Sequence, residues 1–189
     1  MKNIFFYLAC IVLAFSFNAC KTKKLTSVTG ATEVVMPFSE DKYKTDKDFF
    51  RARNNSQHPS DINDCKTAAL LNANSELAGI INTKIKRVID QYSNTITVND
   101  KTDYEKKLEI ETRSAVEQSL SGVTVAGEKL FKETNGSFSY WVVIEVSKKS
   151  ILEGVNDKIS KNAKLQLDYD KKKFEDIFNS EMEKLSNEK

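Results

Sequence analysis

The chain has 189 residues, of which 40% are hydrophobic and 30% charged, a composition typical of globular proteins rather than disordered ones. One domain with a substantial apolar core can form at this length. Basic and acidic residues number 29 and 27, so no excess of positive charge favours nucleic-acid binding, and we expect no nucleic-acid partner.

The first 20 residues have the pattern of a secretory leader. Lys2 precedes an apolar run over residues 4–17, which is shorter than the roughly 20 residues of a comfortable membrane span. The run ends at Phe-Asn-Ala-Cys, which resembles a bacterial lipobox, where a small residue precedes a lipid-modified cysteine. We therefore predict a lipoprotein signal peptide over residues 1–19 and lipid attachment at Cys20. An ordinary secretory signal with an incidental cysteine, or an uncleaved anchor, is the alternative.

The segment after the leader is predicted to be a tether. Residues 20–45 are rich in Lys, Thr and Ser and show no sustained period. As a flexible coil, such a segment would span on the order of 25–30 Å. Acylated Cys20 would bind membrane lipid, and the tether would hold a folded domain close to the bilayer.

Residues 46–92 predict a short strand, a polar loop and a long helix. The strand covers residues 46–55, and the loop over residues 56–61 contains His58, which lacks metal-ligand spacing to other residues. Ser60 or Asp61 would cap the helix. Cys65 lies in its first turn and is expected to be a buried thiol. The helix is predicted from apolar residues at steps of three and four, namely Leu70, Ala73, Leu77, Ile81, Ile85, Val88 and Tyr92.

Two more helical patterns follow a loop or minor strand over residues 93–101. One begins near Thr102 or Asp103, ends before Gly122, and places Leu108, Thr112, Ala115 or Val116 on one face. The other starts near residue 148 and continues to the C-terminal end, with a break expected near residues 166–172. Its apolar stripe comprises Ile151, Val155, Ile159, Ala163, Leu167, Phe174, Phe178, Met182 and Leu185.

Between these helices, residues 120–146 predict a β-hairpin. A two-residue type I′ turn at Asn135-Gly136 would place Phe131 opposite Tyr140 and Val125 opposite Val146. One face would then be apolar and face the core, with Val123, Val125, Gly127, Phe131, Tyr140, Val142, Ile144 and Val146. The other face would carry Leu130, Trp141 and Val143. We expect the distal C-terminal helix to cover these three through Phe174, Phe178 and Met182, or a second subunit to do so.

The order of elements and two segments, AALLNANSELAGII at 68–81 and SYWVVIEVSKKSI at 139–151, resemble the LPP-twenty lipoprotein family over residues 49–156. That family includes envelope surface antigens and flagellar outer-membrane ring components. Its usual glycine-rich segment is replaced here by residues 51–55, which contain no glycine. The resemblance implies a dodecin-like α+β fold, a three-stranded antiparallel sheet packed on a long helix. To this we add a second helix and a long C-terminal helix, dividing the folded part into a domain over residues 46–165 and an extension over residues 166–189.

No catalytic motif accompanies this resemblance. The sequence contains no Gly-rich phosphate loop, no Gly-x-Ser-x-Gly, no His-Glu pair with a second His and no Cys-x-x-Cys. We predict no enzyme, catalytic residue, metal or cofactor. The leading hypothesis is a structural lipoprotein of the outer membrane that faces the periplasm and binds an envelope protein or itself. The alternative is a module that binds a flavin-like aromatic ligand at Trp141, because dodecins hold flavin against a tryptophan.

Overall fold

A computed structural model describes residues 27–28 and 30–187. These residues belong to two compact units, Met1–Met36 and Pro37–Lys189. In the first unit, the short strands β1 (Ser27–Val28) and β2 (Ala31–Thr32) pair antiparallel. The predicted signal peptide over residues 1–19 and the predicted lipid site Cys20 lie outside the described residues.

The second unit has the expected α+β architecture. Its three-stranded antiparallel sheet has the order β3-β5-β4, so the last strand in sequence is the central one. The strands are β3 (Phe49–His58), β4 (Thr124–Lys132) and β5 (Phe138–Ser147). The described helices are α1 (Ile62–Ser93), α2 (Lys101–Leu120), α3 (Lys148–Lys161), the single turn α4 (Ala163–Gln166) and α5 (Lys171–Asn187), besides a short 3-10 helix at Asp41–Tyr43.

The long helix α1 begins and packs as its sequence predicts. The Asp61 side chain accepts hydrogen bonds from the backbone N–H groups of Asn63 and Asp64, which caps the helix. The predicted stripe from Ala73 to Tyr92 is buried, and Cys65 and Ala69 extend it. Small residues in the first turns let the helix approach the sheet closely. The strand residues in the same core are Phe50, Ala52, Tyr140, Val142, Ile144 and Val146.

The remaining helices complete this core. Helix α2 starts after its cap Asp100 and buries Leu108, Thr112, Ala115 and Val116, as predicted. The C-terminal helical pattern is interrupted between α3 and α5, where the Asn162 side chain accepts from the N–H groups of Lys164 and Leu165. Thus the predicted break is present, although it begins four residues earlier than expected.

Helix α5 does not cover the outer side of the sheet, so that prediction is wrong. Phe174, Phe178 and Met182 are buried in the same core as α1. The Phe174 ring packs edge-on against Tyr92 at 5.3 Å between centroids, and the Lys148 ammonium donates to the Met182 carbonyl at 3.2 Å. The apolar stripe of α5 therefore packs against α1, and residues 166–187 share one core with the rest of the domain.

The hairpin turn is one residue longer than predicted. The Glu133 N–H donates to the Ser137 carbonyl at 2.8 Å, and the Gly136 N–H donates to the Glu133 carbonyl at 2.9 Å. Only Gly136 in this loop has a positive φ, of 86°, whereas a type I′ turn needs two such residues. The Asn135 side chain instead accepts from the Ser137 N–H. A three-residue loop with a left-handed glycine therefore closes the hairpin.

This longer loop shifts the pairing of β4 by one residue. Leu130 lies opposite Tyr140, Phe131 opposite Ser139, and Gly127 opposite Val143. The core side of β5 is as predicted, but on β4 the residues from Gly127 to Lys132 have exchanged faces. An irregularity between Val125 and Gly127 places Val125 opposite Ile144.

Candidate functional site

The sheet has a helix face, which packs on α1, and an outer face on the opposite side. Trp141 and Val143 lie on the outer face, as predicted, because they alternate with the buried core residues of β5. Leu130 does not join them, since it pairs with Tyr140 on the helix face. Val143 is fully buried and Trp141 half-buried, and the predicted trio of Leu130, Trp141 and Val143 does not form one surface.

Residues 37–45, which we call the strap, pack on the outer face. Phe38 is only 4% exposed although its backbone has a left-handed φ of 60°, a conformation that is costly for a bulky side chain. A Cβ atom added to Gly127 would lie 2.8 Å from Cε1 of Phe38 and 3.0 Å from Cε1 of Tyr43. Because Gly127 pairs with Val143, the strap lies over the centre of the sheet and fills the space that a side chain would take.

Two arginines of β3 hold the strap. Arg51 is 10% exposed in its side chain, donates from Nε to Glu145 at 2.6 Å and from Nη1 to Asp46 at 2.6 Å, and also reaches the Lys44 carbonyl at 2.8 Å. Arg53 donates from Nη1 to the carbonyls of Pro37 and Phe38 at 3.3 and 3.2 Å. These side chains lie at alternate positions of one strand, so both point toward the outer face.

The hydrogen bonds around Arg51 change the pKa of its partner Asp46. Burial alone would raise the pKa of the Asp46 carboxyl. Hydrogen bonds from Arg51 and from the N–H groups of Asp48 and Phe49 outweigh that effect and lower the pKa below its ordinary value of 3.8. The carboxylate is therefore stabilised in its charged form.

The strap was predicted to be part of the flexible tether, and sequence reasoning missed its packing. Residues 37–45 form an irregular segment, so their apolar residues do not recur at the spacing of a helix or a strand. The signal that could have identified it is the pair of aromatic residues, Phe38 and Tyr43, in an otherwise polar stretch. Their rings contact each other edge-on, with centroids 4.8 Å apart.

The strap leaves a small part of the outer face open near the hairpin turn. Trp141 lies there between Asn55 of β3 and Lys129 of β4. Phe131 is 41% exposed on the same face, and the Lys129 ammonium lies 5.0 Å from the centroid of the Phe38 ring. This corner therefore presents two aromatic side chains, Trp141 and Phe131, and the Lys129 ammonium to a ligand.

A groove with a volume of about 590 Å³ lies between the end of α2 and the start of α3. Its carboxylates, Glu153 and Asp157, form ion pairs with Lys149 and Lys161 one helical turn away, at 3.6 and 2.7 Å. Such exposed pairs are ordinary features of helix surfaces.

His58 and Cys65 have structural partners. His58 Nδ1 accepts from the Asp61 N–H at 3.0 Å, which helps to shape the start of α1. The Cys65 thiol is buried, as predicted, and donates to the Ser56 carbonyl at 3.1 Å. Within the part of the chain that the structure describes, no cluster of three His, Cys, Asp or Glu residues could hold a metal, and no helix is long and apolar enough to cross a membrane.

No protein-family model matches the chain, and a search of curated proteins finds no match. The resemblance to the LPP-twenty family therefore stays a prediction.

Proposed function

We propose that this chain is a lipid-anchored bacterial envelope lipoprotein whose folded domain has a structural or partner-binding role rather than a catalytic one. The observation that carries the proposal is the apolar run over residues 4–17, which ends at Ala19-Cys20 and is followed by lysines. Acylation of Cys20 would hold the chain on membrane lipid. The resemblance to envelope lipoproteins supports placement on the outer membrane. The basic segment Lys-Thr-Lys-Lys at 21–24, where surface-exposed lipoproteins of some bacteria carry acidic residues, supports its periplasmic side.

The chemistry of the folded domain is consistent with binding through a surface. Its ion cluster around Arg51 fixes the strap, because Asp46 and Glu145 both bond to the same guanidinium. The carboxylates Glu153 and Asp157, in the groove between α2 and α3, pair with lysines. Exposed apolar residues are instead found on β4, where Val125, Leu130 and Phe131 lie.

Metabolic labelling with an alkyne fatty acid tests the anchor. Wild-type protein should carry the label and sediment with outer membranes, whereas Cys20→Ala should stay unlabelled and unprocessed. Cys10→Ala is the matched control, because Cys10 lies inside the apolar run and should not affect labelling. Equal labelling of wild type and Cys20→Ala would refute the lipid site. Protease added to intact cells should leave the domain uncut if it faces the periplasm.

The partner of the domain can be sought with the intact lipoprotein as bait in detergent-solubilised membranes. A structural role predicts stoichiometric recovery of an envelope protein or of a second, differently tagged copy of the chain. Recovery of neither at high bait concentration would contradict that role.

The second candidate function is binding of a flavin-like aromatic ligand at the open corner of the outer face. It is favoured by the position of half-buried Trp141 beside exposed Phe131 and Lys129. Trp141 is the only tryptophan, so titration with flavin mononucleotide should quench the protein fluorescence, and Lys129→Glu should weaken the quenching. Unchanged fluorescence at millimolar flavin would reject this function.

A further inference from the structure

The two edges of the sheet differ in how their backbone groups are satisfied. On β3, local groups occupy the edge: the Phe49 N–H and carbonyl bond to Asp46, and the Arg51 N–H and carbonyl bond to the Thr45 hydroxyl. Further along, the Asn55 N–H bonds to the side chain of Asn54, and the Asn55 carbonyl to that of Asn72. Such side-chain blocking prevents a further strand from pairing there.

The edge of β4 has no comparable protection among the described residues. The Glu133 N–H bonds to Ser137, and hydrogen-bonded pairs alternate along an antiparallel ladder. From Gly127 onward, the odd-numbered residues of β4 therefore bond to β5. The N–H and carbonyl groups of Glu128, Leu130 and Lys132 therefore point away from the sheet. No described residue forms a hydrogen bond with them.

Exposed apolar side chains accompany this open edge. Val125 is 49% exposed and Leu130 46% exposed, and both lie on the helix face of β4. Phe131 is exposed on the outer face. An exposed strand edge with apolar side chains on both faces is a template for pairing with another strand.

We propose that β4 pairs antiparallel with β4 of a second copy of this chain, with Leu130 on the two-fold axis, so that two sheets join into one of six strands. This dimer would be the self-association expected of the proposed structural role. The inference rests on that role only in placing the dimer in the bacterial envelope. A two-fold interface brings the same strand from both copies together, so the sequence of β4 must be complementary to itself.

The segment Glu128-Lys129-Leu130-Phe131-Lys132 meets this requirement. With Leu130 at the centre, Glu128 lies opposite Lys132 of the second copy, so the two charged side chains on the helix face of each strand are paired. Lys129 lies opposite Phe131, which allows a cation–π contact on the outer face. The Lys66 ammonium already lies 3.2 Å from the Glu128 carboxylate, and the Tyr140 hydroxyl donates to it, so that carboxylate is held on the helix face.

Other two-fold registers are less favourable. Centring on Glu128, Lys129 or Lys132 places like charges directly opposite each other, which is destabilising. Centring on Phe131 pairs only residues 130–132 within the strand and places Leu130 opposite Lys132. Among the registers centred on residues 128–132, the Leu130 register is therefore the one in which charge and apolar contacts agree over five residues.

Cysteine cross-linking of the full chain in detergent tests the register. Leu130→Cys should form a covalent dimer under mild oxidation, because each cysteine meets its own copy across the axis. Glu128→Cys and Lys132→Cys should not cross-link separately but should do so when mixed. The wild type controls for the native thiols. Cross-linking through Phe131→Cys instead of Leu130→Cys would overturn the proposed register.

Sedimentation equilibrium of the same detergent-solubilised protein tests the association itself. Lys132→Glu should weaken the dimer about tenfold, because it places like charges opposite each other in two symmetric pairs. Lys172→Glu makes the same charge change on the exposed side of α5 and should have no effect. A monomer at all concentrations, or equal dimerisation by wild type and Lys132→Glu, would overturn the proposal. Neither result affects the labelling of Cys20, so the two proposals fail separately.

Leu130→Pro provides a variant that should fold normally and not pair. Proline lacks the N–H that points outward at this position, while the bonds of β4 to β5 come from its neighbours. The far-UV circular dichroism spectrum should stay unchanged and the dimer should be lost. Retained dimerisation with a native spectrum would contradict pairing through this edge.

Discussion

Arg51 connects more parts of the outer face than any other side chain described above. It bonds to Glu145 of the central strand, to Asp46 and to the backbone of the strap. Arg51→Ala should lower the free energy of unfolding by about 2–3 kcal/mol, because two partly buried carboxylates lose a charged partner. Urea denaturation measures this loss.

Arg113→Ala is the matched control for that variant. Arg113 pairs with Glu109 one turn away on α2, and both side chains are exposed. Removing an exposed pair of this kind should change the free energy of unfolding by less than about 0.5 kcal/mol. Equal destabilisation by the two variants would show that the Arg51 cluster does not hold the strap.

Asp46 makes the stability of the domain depend on acid pH. Its pKa is lowered in the folded protein, so the unfolded chain binds a proton more readily. The stabilisation is therefore fully present above the ordinary value of 3.8 and is lost as the pH falls through the lower folded value. Urea midpoints of wild type and Asp46→Asn, measured from pH 7 to about pH 3, should converge at the acid end. A constant difference would contradict the lowered pKa.

At the scale of elements, a substitution at Gly127 tests whether the strap packs on β4. Gly127→Ala introduces a Cβ atom that overlaps the ring of Phe38, so the strap must shift or detach. Trypsin should then cut at Lys42 or Lys44 at least several-fold faster than in the wild type. Gly79→Ala is the control, because a Cβ atom there meets no atom within 4 Å and alanine favours the helix. Equal cleavage in both variants would mean that the strap does not depend on this contact.

The helices could be predicted from the sequence, because their signals are local. The stripe from Ala73 to Tyr92 and the caps Asp61 and Asp100 act within a few residues of chain. The strap and the hairpin register could not be obtained in this way. Asn135-Gly136 is compatible with a two-residue and with a three-residue loop, and the choice depends on packing across the sheet. Phe38 meets Gly127 far along the chain, and no local pattern encodes that contact.

For the candidate site, the sequence identified two residues of the outer face but not their surroundings. Trp141 and Val143 were assigned correctly from the alternation along β5. Leu130 was misplaced by the register of β4, and the open edge of that strand was not anticipated. Edges depend on the order of strands, which alternation along a single strand does not reveal.

At the scale of the whole molecule, α5 belongs to the core of the domain. Phe178→Ala should lower the free energy of unfolding by about 3–5 kcal/mol, because Phe178 is fully buried beside the other helices. Leu167→Ala is the control, since Leu167 is 85% exposed and should change stability little. Urea titrations measure both variants.

Two spectroscopic probes of unfolding can show whether α5 shares the core of the domain or forms a separate helical extension. Circular dichroism and Trp141 fluorescence should give coincident midpoints, and Phe178→Ala should shift both together, because one core unfolds cooperatively. The native emission of Trp141 should stay the same, as α5 packs on the other side of the sheet. Two separate transitions would contradict the shared core.

The strand order also determines when the domain can fold. The central strand β5 is the last of the three in sequence, and Arg51 is 94 residues away from its partner Glu145. β3 cannot pair with a neighbouring strand, and the strap cannot pack on Gly127, until β4 and β5 have been synthesised. Contacts of such long sequence separation slow folding, so the sheet forms late. For the exported lipoprotein proposed above, that delay would keep the domain unfolded while the chain is threaded across the membrane.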